Sequence, residues 1–167
     1  CRRLTQDGWQ EEPACLVREC ELLLTVNGVL LPRIVCSPVD LEELILGVLR
    51  TGGYLHRKEQ LKNLIIDDSG LPERASARAE VTPEPETEPA QTDVFWDAQA
   101  VQTLSDYVVR DAQSHRSSHS THSFTLMLDG KILCCREDIG RHNAIDRAVG
   151  WAAAHDVPAE RCLSFFS

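Results

Sequence analysis

Residues 133–149 read LCCREDIGRHNAIDRAV. Two cysteines, an acidic pair, Ile-Gly, Arg-His-Asn and an amphipathic run follow in that order. An apolar stretch that passes through glycine into apolar residues at helical spacing predicts a strand-to-helix corner. Just upstream, Phe124–Leu128 and Lys131–Cys135 flank Asp129-Gly130, a strong two-residue hairpin signal. The helix is expected from about Asn143 to Ala154. Ala144, Ile145, Ala148, Val149 and Ala152 should form its buried face, with Asp146 and Arg147 pointing outward.

The same plan occurs earlier in the chain. Glu21–Val26 and Val29–Cys36 flank Asn27-Gly28, and Pro32, lacking an amide donor, belongs on an edge or at a bulge. A helix should follow, with Ser37 as its cap, Pro38 in the first position, Gly52-Gly53 at its end, and Leu41, Leu44, Ile45, Val48 and Leu49 as its apolar stripe. Between the two units, Asp67–Asp97 is rich in Pro, Glu, Thr and Ala and reads as an extended linker. A further helix is expected from about Asp97 to Ala112, with Val101, Leu104 and Val108 on one face, and a last strand over Cys162–Phe166. The fold class is α/β. Its parts are a hairpin-helix region over 1–66, an acidic linker over 67–97 and an α/β core over 98–167.

A chain of 167 residues supports one principal core. Its net charge of −9 is concentrated in Asp67–Asp97, which holds nine acids and two arginines, so the remainder is nearly neutral. No basic stripe exists to engage phosphates along a nucleic acid. No apolar run approaches the ~20 residues of a membrane span and no signal segment opens the chain. Seven cysteines, an odd number at irregular spacing, fit a reducing cytoplasm better than a disulfide framework. The absence of an initiator methionine and the ending CLSFFS lead us to expect a fragment whose final apolar edge pairs with another chain.

Chemistry concentrates in Glu137–Asn143. Free amides at a helix start favour an anion, Arg141 offers a donor fork, and His142 and Asn143 can donate or accept. The plainer reading has Asp138 capping the helix and pairing with Arg141 or Arg147, with His142 merely exposed. His115, His119 and His122 could share a helical face and bind a metal, but the serines between them disfavour a helix and no carboxylate or Cys-x-x-Cys partner lies near. Cys134 and Cys135 would point to opposite faces of a strand, which makes one a core cysteine and the other a neutral surface cysteine, and Cys36, at a strand end, is expected to pack.

Two blocks, LLLTVNGVLLPRIVCSPVDLEELILGVLRTGGYL and STHSFTLMLDGKILCCREDIGRHNAIDRAVG, resemble the N-terminal and central signatures of the formate dehydrogenase accessory sulfurtransferase family, FdhD. The resemblance implies a cytoplasmic protein with a cytidine-deaminase-like core. It implies sulfur transfer from a cysteine desulfurase to the molybdenum bis-pterin guanine dinucleotide cofactor destined for formate dehydrogenase, and a homodimer. His122 matches the histidine of the family's Thr-Gly-Gly-Thr-His stretch, and Glu137, Asp138, Gly140, Arg141 and His142 match its Glu-Asp-Ile-Gly-Arg-His motif. The candidate cofactor-binding set is therefore His122, Asp138, Gly140, Arg141, His142 and Asn143.

The family carries its persulfide on a Cys-x-x-Cys pair between the two blocks, whereas Asp67–Asp97 contains no cysteine. His119-Ser120 stand in place of twin glycines, and the chain stops where the family continues into a Ser-Gly-Arg segment. Three readings follow: a sulfurtransferase using Cys134, Cys135 or Cys36; a non-catalytic member keeping part of the cofactor cleft; and a zinc hydrolase, for which the Cys-x-x-Cys and His-x-Glu elements are missing. The missing loop predicts little uptake of persulfide sulfur.

Overall fold

A computed structural model of the chain describes residues 2–5, 8–11, 16–84, 95–111 and 120–166. Strands β1 (Arg2–Thr5) and β2 (Gly8–Glu11) form a ribbon of their own. The larger sheet starts with β3 (Cys20–Val26), which turns through Asn27-Gly28 into β4 (Val29–Leu30) and, beyond Pro32, β5 (Ile34–Cys36). Asn27 and Gly28 have φ of 49° and 84°, the left-handed pair a tight hairpin needs. Both β4 and β5 pair antiparallel with β3, and Pro32 falls in the gap between them, where no amide is required.

Helix α1 (Leu41–Thr51) follows, and its Leu44, Ile45 and Leu49 have no exposed surface. It is not capped by Ser37. Asp40 occupies the cap position in left-handed backbone, φ 42°, without a side-chain bond, and Ser37 is engaged elsewhere.

Two further strands, β6 (Leu61–Asp67) and β7 (Arg74–Val81), complete the sheet in the order β4-β3-β7-β6, with β5 also on β3. The linker reading of Asp67–Asp97 is thereby corrected over 74–81. This segment is a central strand, parallel to β3 and antiparallel to β6. Its residues alternate strictly: Ala75, Ala77, Ala79 and Val81 are buried while Arg74, Ser76, Arg78 and Glu80 are exposed. Small side chains suffice because the leucines of β3 and α1 fill the same core. Residues 85–94 of the expected linker lie outside the described residues.

The second sheet contains β8 (His122–Leu128), β9 (Lys131–Asp138) and β10 (Leu163–Phe166), antiparallel in the order β10-β8-β9. Asp129 and Gly130 make its hairpin turn with φ of 48° and 75°. Helix α2 (Ala98–Asp111) packs Leu104 and Val108 against Met127, whereas Val101, expected on that face, is 48% exposed. Helix α3 (Arg141–Ala154) covers the other face through Ala148 and Ala152 against Leu126 and Cys134.

The two hairpin-helix units meet where α1 and α3 cross. A Cβ on Gly47 would stand 1.8 Å from the Asp146 carbonyl oxygen, and one on Gly150 would stand 1.8 Å from that of Glu43. Each helix thus presents a glycine to the other's backbone. The contact is reciprocal, since Glu43 precedes Gly47 in α1 as Asp146 precedes Gly150 in α3, four residues in both cases.

Candidate functional site

Strand β9 ends at Asp138, which has no exposed surface. Its Oδ1 accepts from the Gly140 amide and the Asn143 Nδ2, both at 2.9 Å. Its Oδ2 accepts from the Ser37 amide at 3.1 Å and the Arg147 Nε at 2.8 Å. Arg147, expected on the solvent side of α3, is only 1% exposed. Its guanidinium donates to the carbonyl oxygens of Ser37 at 2.7 Å and Asp40 at 3.0 Å, and also to that of Val39. A buried ion pair is tolerated when every donor and acceptor is used, and this one is nearly saturated. It fastens the Ser37–Asp40 turn of the first unit to the β9–α3 corner of the second, with the Ser37 hydroxyl accepting the Ile139 amide at 3.3 Å.

Gly140 is explained by the same frame. Its φ of −99° is open to any residue, but a Cβ there would lie 2.7 Å from the Asn143 Nδ2. That nitrogen also donates to the Val35 carbonyl at 2.7 Å. Asp138, Gly140 and Asn143 therefore turn inward and set the shape of the corner. Asp138 takes the Gly140 amide rather than those of the first turn, and among the described residues no side-chain cap bond is made at this terminus.

Arg141 and His142, by contrast, are exposed beside the first-turn amides of this 14-residue helix. His122 belongs to the same end of the sheet: the ladder sets it directly opposite Asp138, and its ring stacks on Phe166 at 5.7 Å. Of the six candidates, the structure leaves Arg141, His142 and His122 toward the surface and makes the other three their scaffold. The corner joins an uncapped helix terminus, whose amides carry partial positive charge, to a guanidinium and two imidazoles, a donor set suited to a phosphate-bearing anion. Arg147 is the residue missing from the candidate set. The proposed alternative pairing of Asp138 with Arg147 was its only sequence signal.

A groove of about 370 Å³ lies elsewhere, floored by Leu46, Leu55, Ala152 and Val157. Its cations are engaged: Arg50 with the Leu55 and His56 carbonyls, Arg57 with Glu84, and Lys58 with the Ala154 carbonyl. It offers an anion less than the corner does.

Of the substitute thiols, Cys36 is fully buried and Cys134 is 6% exposed, and burial pushes each up to about 12. Neither supplies thiolate near neutrality. Burial also raises Cys20 and Cys162. Cys135 lies partly exposed on the opposite face of β9 from Cys134, as strand alternation requires. Among the described residues no group of His, Cys, Asp and Glu is placed to hold a metal ion, and His115 and His119 lie outside them. No helix among these residues is long and apolar enough to cross a membrane.

The chain is similar over residues 68–167 to the FdhD/NarQ family model. It is 30% identical over 180 aligned positions to the sulfur carrier protein FdhD of Bacillus licheniformis, covering 91% of this chain and 67% of that protein. With the sulfur carrier protein FdhD of Staphylococcus haemolyticus it shares 27% identity, covering 90% and 67%. A crystal structure from Desulfotalea psychrophila, described as a formate dehydrogenase accessory protein, superposes with a TM-score of 0.76 at 21% identity, covering 99% of this chain and 71% of that one. With its second hairpin-helix unit inside the matched segment, the chain belongs to the FdhD/NarQ family.

Proposed function

We propose that this chain acts in the cytoplasm as an accessory protein of a formate dehydrogenase, holding the molybdenum bis-pterin guanine dinucleotide cofactor while sulfur from a cysteine desulfurase is passed to it. The observation that carries the reading is the first turn of α3: amides left without a side-chain cap, flanked by exposed Arg141 and His142, with the corner fixed beneath them by the buried Asp138–Arg147 pair. Nucleotide phosphates are the part of the cofactor this donor set would grip, with His122 on the adjoining strand. In this reading β8, β9, β10 and α3 form the cytidine-deaminase-like core, and the edge of β10 pairs two copies into a homodimer.

A second reading, a non-catalytic member that only binds the cofactor, draws support from the burial of Cys36 and Cys134. Complementation separates the two. Cells lacking their own FdhD and supplied with this chain should regain formate dehydrogenase activity if sulfur is delivered. Cofactor that co-purifies with the chain without restored activity would support the second reading, and neither result would reject both.

A further inference from the structure

We infer that Cys135 is the thiol that takes up sulfur, and that the buried hydroxyl of Thr125, directly across the β8–β9 ladder, holds the added sulfur atom. The inference rests on the sulfur-carrying reading above and names the residues that would perform it.

Two independent observations meet at this pair. The first is Cys135 itself: of the five described cysteines, Cys20, Cys36 and Cys134 are buried, while Cys135 and Cys162 keep part of their surface. Of these two, only Cys135 lies on β9, the strand that leads into the candidate corner, three residues before Asp138. The second is Thr125. It has no exposed surface, and its Oγ1 has no hydrogen-bond partner among the described residues. A hydroxyl buried without a partner is costly and calls for an explanation. Residues paired directly across antiparallel strands share a face, with Cβ atoms about 4.5–5.5 Å apart, so the Thr125 side chain stands beside that of Cys135.

The reaction needs neither oxidant nor reductant. The Cys135 thiolate attacks the outer sulfur of a donor persulfide, R–S–SH. The donor S–S bond breaks, R–S⁻ leaves and takes up a proton, and the new S–S bond gives Cys135–S–SH. One S–S bond replaces another. The added sulfur extends the side chain by about 2 Å along the face it shares with Thr125, and the terminal sulfur accepts the hydroxyl's proton donation. The donor is a persulfide borne either by a protein or by a small thiol.

The test treats the full chain with glutathione persulfide in one arm and with a cysteine desulfurase plus cysteine in the other, followed by persulfide trapping and peptide mass spectrometry. The expected result is one added sulfur on Cys135, absent from Cys135→Ser and retained in Cys134→Ser. Uptake only in the desulfurase arm still supports the inference and identifies a protein donor. Thr125→Val should shorten the adduct's lifetime about tenfold, as loss of a charge-assisted hydrogen bond does, and Thr125→Ser should restore it. Because Val removes an orphaned buried hydroxyl, Thr125→Val should also melt about 2–4 °C higher, which separates the effect from misfolding. An adduct on another cysteine, or none in either arm, overturns the inference. Guanine-nucleotide binding measured on the same preparation reports on the cofactor site separately, so intact binding without an adduct rejects this step alone.

Discussion

The two strand-to-helix corners share a plan and have opposite electrostatics. At the first, the Ser37, Val39 and Asp40 carbonyls all accept from Arg147, and the first turn of α1 carries Glu42 and Glu43. Those carboxylates complement the positive end of the helix from within the chain and would repel an incoming anion. At the second, the first turn of α3 carries no acid and no capping side chain, and Arg141 and His142 extend beside it. One corner is consumed as a clamp and the other is left open. The difference shows how two units of similar plan can commit one corner to internal bonds and keep the first turn of the other exposed.

The clamp should be the costliest part to break. Arg147→Met leaves Asp138 buried and unpaired, so a loss of about 3–5 kcal/mol is expected by denaturant titration. A loss below about 1 kcal/mol would mean that the corners are not joined by this pair.

Alkaline pH should weaken both units alike. The folded-state thiols of Cys36 and Cys134 are raised to about 12 from an ordinary value of 9.0, so their stabilising contribution is whole below pH 9 and is lost as pH climbs toward 12. At pH 10 the two together should remove roughly 3 kcal/mol relative to pH 8. Cys36→Ala and Cys134→Ala should each remove about half of that loss, and an unchanged slope in either would dissolve the parallel.

At the helix crossing, Gly47→Ala and Gly150→Ala each drive a methyl into a backbone carbonyl. Overpacking of this kind costs about 1–3 kcal/mol, and reciprocity predicts similar penalties in thermal melts. A large cost at one glycine and none at the other would show that the units are not equivalent at their interface.

Much of this scaffold was legible in the sequence. Asn27-Gly28 and Asp129-Gly130 fixed both hairpins, and aliphatic spacing located α1 and α3. Strand β7 carries little local signal because alanine has little strand preference and its alternation sits beside a Pro/Glu-rich stretch. Its place is set by parallel pairing with β3, a long-range contact invisible to local pattern. Helical spacing alone places Arg147 toward solvent, because a charge on an amphipathic helix usually belongs there. Its burial depends on carbonyls more than a hundred residues away. Ser37 looked like a cap by spacing, yet its hydroxyl and amide serve the opposite corner. The candidate cluster was found as a set, but its division into frame and surface became visible only with Asp138 buried.

The most direct test of the open corner is calorimetric binding of GDP to the wild-type chain and to Arg141→Ala. Arg141 is exposed, so its removal should leave the melting temperature unchanged, while the loss of a charge-assisted contact worth roughly 1.5–3 kcal/mol weakens binding by about tenfold or more. Equal affinities for the two proteins would contradict the account and leave α3 with an ordinary solvated N-terminus.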